Sequence, residues 1–136
     1  STALRIEGTN TTATTVWNNT IYKNKGYGIS ISQAHRTVAQ NNIIFGNASG
    51  EIVDVGTETT LSHNLISNPD FIKVEIADFR LRAHSPAIDA GIQLNQVTRD
   101  FQNVQRPIGR THDIGAYEAE DSESISPKEP QLLKIR

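Results

Sequence analysis

The sequence predicts an all-β solenoid of about three coils, each 22–25 residues long, followed by an irregular strap. Three observations carry this. Asn- and Ile-rich segments recur at a near-constant interval, short β-branched runs alternate with turn residues, and the periodicity stops after Asn68 while buriable residues continue.

The recurring segments are Val16-Trp17-Asn18-Asn19-Thr20-Ile21-Tyr22-Lys23-Asn24, Gln40-Asn41-Asn42-Ile43-Ile44-Phe45-Gly46-Asn47 and His63-Asn64-Leu65-Ile66-Ser67-Asn68. Asn19, Asn42 and Asn64 are 23 and 22 residues apart, as are Ile21, Ile44 and Ile66, and Val16, Val38 and Leu61 follow at 22 and 23. A second set of strands lies between them, in Leu4-Arg5-Ile6-Glu7, Ile29-Ser30-Ile31-Ser32 and Ile52-Val53-Asp54-Val55. A unit this short, with at least two strands and no helix, cannot bury its apolar face alone. It must stack on neighbours at the inter-strand spacing of about 4.8 Å. Asn suits the corners because it tolerates left-handed backbone, and its amide both donates and accepts, so equivalent Asn residues can bond from coil to coil as a ladder.

Beyond Asn68 the chain passes through Pro69-Asp70-Phe71, Asp78-Phe79-Arg80-Leu81, Ser85-Pro86-Ala87-Ile88-Asp89-Ala90-Gly91, Asp100 to Pro107, and Asp113-Ile114-Gly115-Ala116-Tyr117-Glu118. These pieces have no repeat and read as a covering strap over about residues 69–118, after coils over about 3–68. Residues 119–136 read as a flexible linker or tail: Glu120-Asp121-Ser122-Glu123-Ser124 is acidic and serine-rich, and Pro127 and Pro130 follow.

The patterns Ser85 to Gly91, Asp100 to Pro107 and Asp113 to Glu118 resemble the C-terminal end of bacterial right-handed parallel β-helix proteins related to the pectate-lyase-like solenoids. With the coils, the resemblance covers about residues 3–118. It implies a right-handed parallel β-helix, a structural closing role for the strap, and a secreted or surface-attached protein that recognises or processes polysaccharide. A strap over the last coil would hide strand edges and apolar interior that otherwise invite association. The first coil is expected to be open, so that missing upstream coils, or another copy of the chain, would stack on it.

A net charge of −2 with scattered Lys and Arg provides no basic stripe for nucleic acid. No apolar run approaches the length of a membrane span. The absence of Cys removes disulfides, thiolate ligands and Cys nucleophiles, and leaves the compartment open. Abstraction of an α-proton from a uronic acid needs a base and a cation, which makes His35, Arg36, Lys23 and Tyr27 the catalytic candidates if the chain is a lyase or related enzyme. Solvated turn charge is the alternative for each of the three cations. Trp17, Tyr22 and Tyr27 are the candidate sugar-binding surfaces, or else aromatic stacking that steadies the coils. His63 reads as a turn substitution for Asn.

Asp89, Asp100, Asp113 and Glu118 read as acceptors for strap amides or partners of Arg99 and Arg106, with a calcium site as the alternative for the same carboxylates. No cofactor is expected otherwise. His84 and His112 lack the spacing of a zinc site. The crowded Thr residues at 9, 11, 12, 14 and 15 read as a loop rather than a flat ice-binding face. Glycosylation patterns begin at Asn10, Asn18 and Asn47. Three function classes are open to such a chain: an architectural end piece of a polysaccharide-recognising β-helix, a catalytic carbohydrate-active enzyme, and a surface adhesin or assembly module.

Overall fold

The computed structural model describes residues 1–9 and 13–120 of the chain. Coil 1 contains strands β1 (Leu4–Glu7), β2 (Thr15–Trp17) and β3 (Thr20–Tyr22); coil 2 contains β4 (Tyr27–His35), β5 (Val38–Gln40) and β6 (Ile43–Phe45). Coil 3 contains β7 (Gly50–Thr57), β8 (Thr60–Ser62) and a bridge at Leu65. Strands stack in parallel as β1-β4-β7, β2-β5-β8 and β3-β6, with Leu65 beside Ile43. The molecule is therefore a right-handed parallel β-helix with three strands per coil.

Strands this short are separated by corners that need a residue with positive φ. The corner between the first and second strands uses Ala13, Arg36 and Glu58, the next uses Asn18, Asn41 and His63, and the third uses Lys23 and Gly46. His63 thus occupies the turn position that Asn holds in the other coils. The left-handed residue precedes the ladder Asn instead of being it, which frees the following amide to point along the stack. The expected alignment of Val16 with Val38 is corrected by one residue: Val16 pairs with Ala39, and Ala39 with Leu61. Ala39 faces inward and is fully buried, while Val38 pairs with Thr15 on the other face.

Inward side chains form columns from coil to coil, two along β1-β4-β7 and one along each of the other stacks. Ile6, Ile29, Ile31, Val16, Ala39, Ile21 and Ile44 make the continuous core. Complete burial of each Ile contributes roughly 1.5–3 kcal/mol. At one corner Asn19 Nδ2 donates to Asn42 Oδ1 at 3.0 Å and Asn42 Nδ2 to Asn64 Oδ1 at 2.9 Å. The same two oxygens accept the backbone N–H of Asn19 and Asn42. A second, shorter ladder joins Asn24 Nδ2 to Asn47 Oδ1 at 2.8 Å, and it ends on Glu51, whose Oε2 accepts from Asn47 Nδ2.

The strap begins with an antiparallel pair, β9 (Phe71–Lys73) and β10 (Asp78–Leu81), joined by a 3₁₀ turn at Val74–Ile76. It then runs without regular structure through Glu120. It lies on the flank of the solenoid instead of over its end, which corrects the expected seal. Ile43, Phe71, Leu81, Ala87 and Ile114 form a second core on the outer face of β3 and β6, with Tyr22, Phe45 and Phe79 packed against it. Ala119 also packs there and donates its N–H to Asp113 Oδ2, so the packed chain passes the expected limit at 118. The rest of the expected linker lies outside the described residues.

The two ends of the stack differ in how far their inward side chains are covered. In coil 1, β1, β2 and β3 each leave one edge without a paired strand among the described residues, as expected of an open first coil, although the inward Ile6, Val16 and Ile21 are buried. In coil 3 the inward Leu61 and Ile66 are 42% and 57% exposed. Replacing the wholly buried Asn42 with Leu strands the donors and acceptors on both neighbouring coils. Urea unfolding is expected to show a loss of about 2–3 kcal/mol, against under about 1 kcal/mol for Asn19→Ala at the exposed first rung.

Candidate functional site

Folding the strap against coil 1 leaves a shallow furrow between them. Three adjoining depressions, of about 280, 290 and 250 Å³, share their walls. The first is lined by Trp17, Asn19, Arg99 and Phe101, and the second by Asn19, Thr20, Phe79, Phe101 and Tyr117. The third includes Thr20, Tyr22, Asn24 and Phe79. Asn19 and Phe101 connect the first two, and Thr20 and Phe79 the last two. One groove therefore carries five aromatic rings in succession, with amides and a hydroxyl between them.

Phe101 is the most conspicuous of the five because it is 78% exposed. It stands on a rigid turn. Asp100 Oδ1 accepts the N–H of Gln102 and Val104, and the N–H of Phe101 donates to Ala116 O at 2.8 Å. Its ring meets Tyr117 edge to face at 5.7 Å. Phe79 and Tyr22 meet similarly at 5.6 Å, and Lys23 Nζ lies 5.3 Å from the Tyr22 ring centroid. Such rings present flat, electron-rich faces that attract polarised C–H groups, and the intervening amides can bond hydroxyls.

The second corner of the solenoid holds this wall in place. Asn18 Nδ2 donates to Asp113 O and Gly115 O, the same carbonyls that accept from Arg106 Nη1 and Nη2. Asn41 exchanges two bonds with Ile92, donating to its carbonyl at 2.7 Å and accepting its N–H at 2.9 Å. Ala116 N–H reaches Thr20 Oγ1, which ties the Tyr117 segment to β3. Arg106 also pairs with Glu118 at 2.8 Å, both side chains being 1% exposed. Burial pushes the Glu118 carboxyl up to about 6, reinforced by nearby Asp113 and opposed by the N–H of Asp113 and Ile108 and by Arg106. Burial likewise raises Asp113, and burial together with Arg106 lowers His112.

The strap carboxylates are occupied by N–H donors. Asp113 accepts from Asp89 and Ala119, Asp89 from Arg110 and Thr111, and Asp100 Oδ2 from Glu118. Of the two arginines expected to pair with them, Arg106 pairs with Glu118, whereas Arg99 donates to Asn103 O; Arg110 Nε also lies 3.8 Å from Asp89 Oδ2. A calcium ion would compete with these donors for the same oxygens. No group of three or more His, Asp or Glu among the described residues is placed to hold a metal. No helix among the described residues is long and apolar enough to cross a membrane.

Trp17 and Tyr22 line the groove, but Tyr27 lies over Gly50, where an added Cβ would sit 3.2 Å from its ring. His35 and Arg36 come together at the first corner, where His35 Nδ1 lies 2.9 Å from Thr57 Oγ1 and Arg36 Nε donates to Glu58 at 3.1 Å. Tyr27 and His35 terminate opposite ends of β4, on the order of 20 Å apart by strand rise, so the four catalytic candidates are divided between two corners. Phe79, Phe101 and Tyr117 were not singled out in the sequence. The available signal was one Phe in the polar run Arg99-Asp100-Phe101-Gln102-Asn103. Asn18 and Asn47, at 8% and 7% exposure, are too buried to accept a glycan, and Asn10, Thr11 and Thr12 lie outside the described residues.

The family model described as right handed beta helix region matches residues 2–100. No curated protein and no solved structure matches the chain. The Glu118 shift has a definite sign. A carboxyl whose folded value is raised contributes stability that is complete below its ordinary range near 4.5 and is lost as pH rises through about 6. Urea midpoints measured across this window are expected to fall less steeply in Glu118→Gln than in the unaltered chain.

Proposed function

The chain belongs to the right handed beta helix region family, and from that premise we propose that it is a polysaccharide-recognising β-helix module whose ligand lies along the aromatic groove. The carrying observation is the succession Trp17, Phe101, Tyr117, Phe79 and Tyr22 along one continuous furrow. Sugar chains present alternating apolar ring faces and hydroxyls, which matches rings separated by Asn19, Thr20 and Asn24. A furrow open along its length suits an internal stretch of polymer. The likeness of the strap motifs to pectate-lyase-like solenoids supports the same ligand class, as well as a secreted or surface location.

Recognition is favoured over catalysis by the placement of the ionisable groups. His35 and Arg36 face Thr57 and Glu58 at a corner away from the five rings, and the buried Arg106 and Glu118 are occupied with holding the strap. Arg99 borders one end of the groove and Lys23 stands beside the Tyr22 ring at the other. Those cations favour an acidic polymer, with binding that weakens as salt screens them.

Titration calorimetry against a panel of acidic and neutral polysaccharides tests the reading. Phe101→Ala is expected to weaken binding about threefold to tenfold, the equivalent of about 0.5–1.5 kcal/mol per ring contact, while unfolding shifts by less than about 0.5 kcal/mol. Retention of no polysaccharide, or binding indifferent to both Phe101→Ala and Asn19→Ala, overturns it. Release of unsaturated ends that is lost in His35→Ala would instead assign the activity to the β4–β5 corner.

A further inference from the structure

Among the described residues, every arginine but one is paired with a carboxylate. Arg5, Arg36, Arg80, Arg82, Arg106 and Arg110 each have a carboxylate oxygen at 2.7–3.8 Å. Arg99 has none, and it is the exposed arginine on the wall of the aromatic groove. Its guanidinium is held all the same. Nη1 donates to Asn103 O at 2.9 Å, while Nε and Nη2 make no hydrogen bond among the described residues. Those two atoms form one edge of the guanidinium plane, with parallel N–H groups at the spacing of two carboxylate oxygens. The neighbouring Asp100 borders the same depression, but its oxygens are taken by the N–H groups of Gln102, Val104 and Glu118.

The turn that fixes Arg99 also presents Phe101. Arg99 bridges Gln105 in antiparallel register, Arg106 N–H donates to Thr98 O, and Asp100 N–H donates to Val104 O. Cation and ring therefore stand two residues apart on one closed turn, and they share the depression of about 280 Å³ with Trp17 and Asn19 of coil 1. A sugar ring laid on an aromatic face projects its substituents sideways from its edge. A cation on the same wall meets them there.

We propose that Arg99 is the residue by which the groove selects an acidic sugar, taking the carboxylate of a uronic acid unit on its Nε and Nη2 edge while the sugar ring occupies the depression between Trp17 and Phe101. This role rests on the groove being a polysaccharide site. It separates the two contributions to binding: the rings hold any sugar chain, and Arg99 distinguishes an acid from an alcohol. Lys23 is a weaker candidate for the same task, because it lines none of the three depressions and its compact ammonium, 5.3 Å from the Tyr22 ring centroid, offers no fork. Holding the guanidinium in place before the ligand arrives lowers the ordering cost of binding.

Titration calorimetry on the full-length chain tests the role with polygalacturonate, alginate and hyaluronate, each beside its carboxyl-reduced form, in which every carboxylate has become a primary alcohol. The acidic polymer bound most tightly is expected to bind about tenfold better than its reduced form. That ratio is expected to fall to about one in Arg99→Gln and to persist in Arg36→Gln, which removes the same charge at a different corner. Phe101→Ala is expected to weaken both forms alike. A ratio of one in the unaltered chain, or a tenfold ratio kept in Arg99→Gln, overturns the role of Arg99 and leaves the groove reading standing. Binding of none of the six polymers overturns both. Tighter binding of dextran sulfate than of any uronate, lost in Arg99→Gln, overturns the carboxylate as the group recognised.

Discussion

The corner formed by Asn18, Asn19, Asn41 and Asn42 is the constraint on which both halves of the molecule depend. A parallel coil of 22 or 23 residues cannot satisfy its own corner amides, since the backbone turns away from every strand there. Asn42 solves this along the stack: its oxygen takes two donors from the coil before it, and its NH₂ reaches Val16 O as well as Asn64. Asn18 and Asn41, one residue earlier in left-handed geometry, point outward and bond the strap. Adjacent amides thus do different jobs. One fixes coil on coil, and the other fixes the strap on the coils.

The groove follows from that attachment. The strap has no ladder of its own over residues 82–120, so its path is set by bonds to groups distant in sequence, such as the exchange between Asn41 and Ile92. Arg106 completes the junction by donating to the two carbonyls that Asn18 already engages, while Glu118 offsets its charge. A buried ion pair adds little net stability over a well-packed apolar pair, yet removing one partner typically costs about 3–5 kcal/mol. Its effect here is positional. It keeps the segment that bears Tyr117 against β3 and opposite the turn that bears Phe101.

The coils were legible because stacking repeats the same demand at each level: Asn19, Asn42 and Asn64 answer one corner, and Ile21, Ile44 and Ile66 one interior column. At Val38 the spacing of 22 misleads by one residue. In a narrow solenoid the small Ala39 fills the interior between Val16 and Leu61, and the larger Val38 turns outward. The strap's position was not legible, since an irregular segment carries no period to betray the surface it covers. For the same reason Trp17 and Tyr22 could be named from the coils, whereas Phe79, Phe101 and Tyr117 become neighbours only after the strap has folded back.

The ends of the stack show how a solenoid of identical logic is told to stop. An inward aliphatic at each level invites another level, and nothing in hydrogen-bond geometry alone limits the count. Asp54 changes the terms in the column of Ile6 and Ile31, because an apolar coil laid over it would bury a carboxylate that here accepts from the Gly56 N–H and the Thr59 hydroxyl at the exposed edge. Ile52, Leu61 and Ile66 keep the other columns aliphatic. A single polar residue at the end of an otherwise aliphatic column supplies specificity that the apolar columns beside it, which accept any aliphatic, cannot.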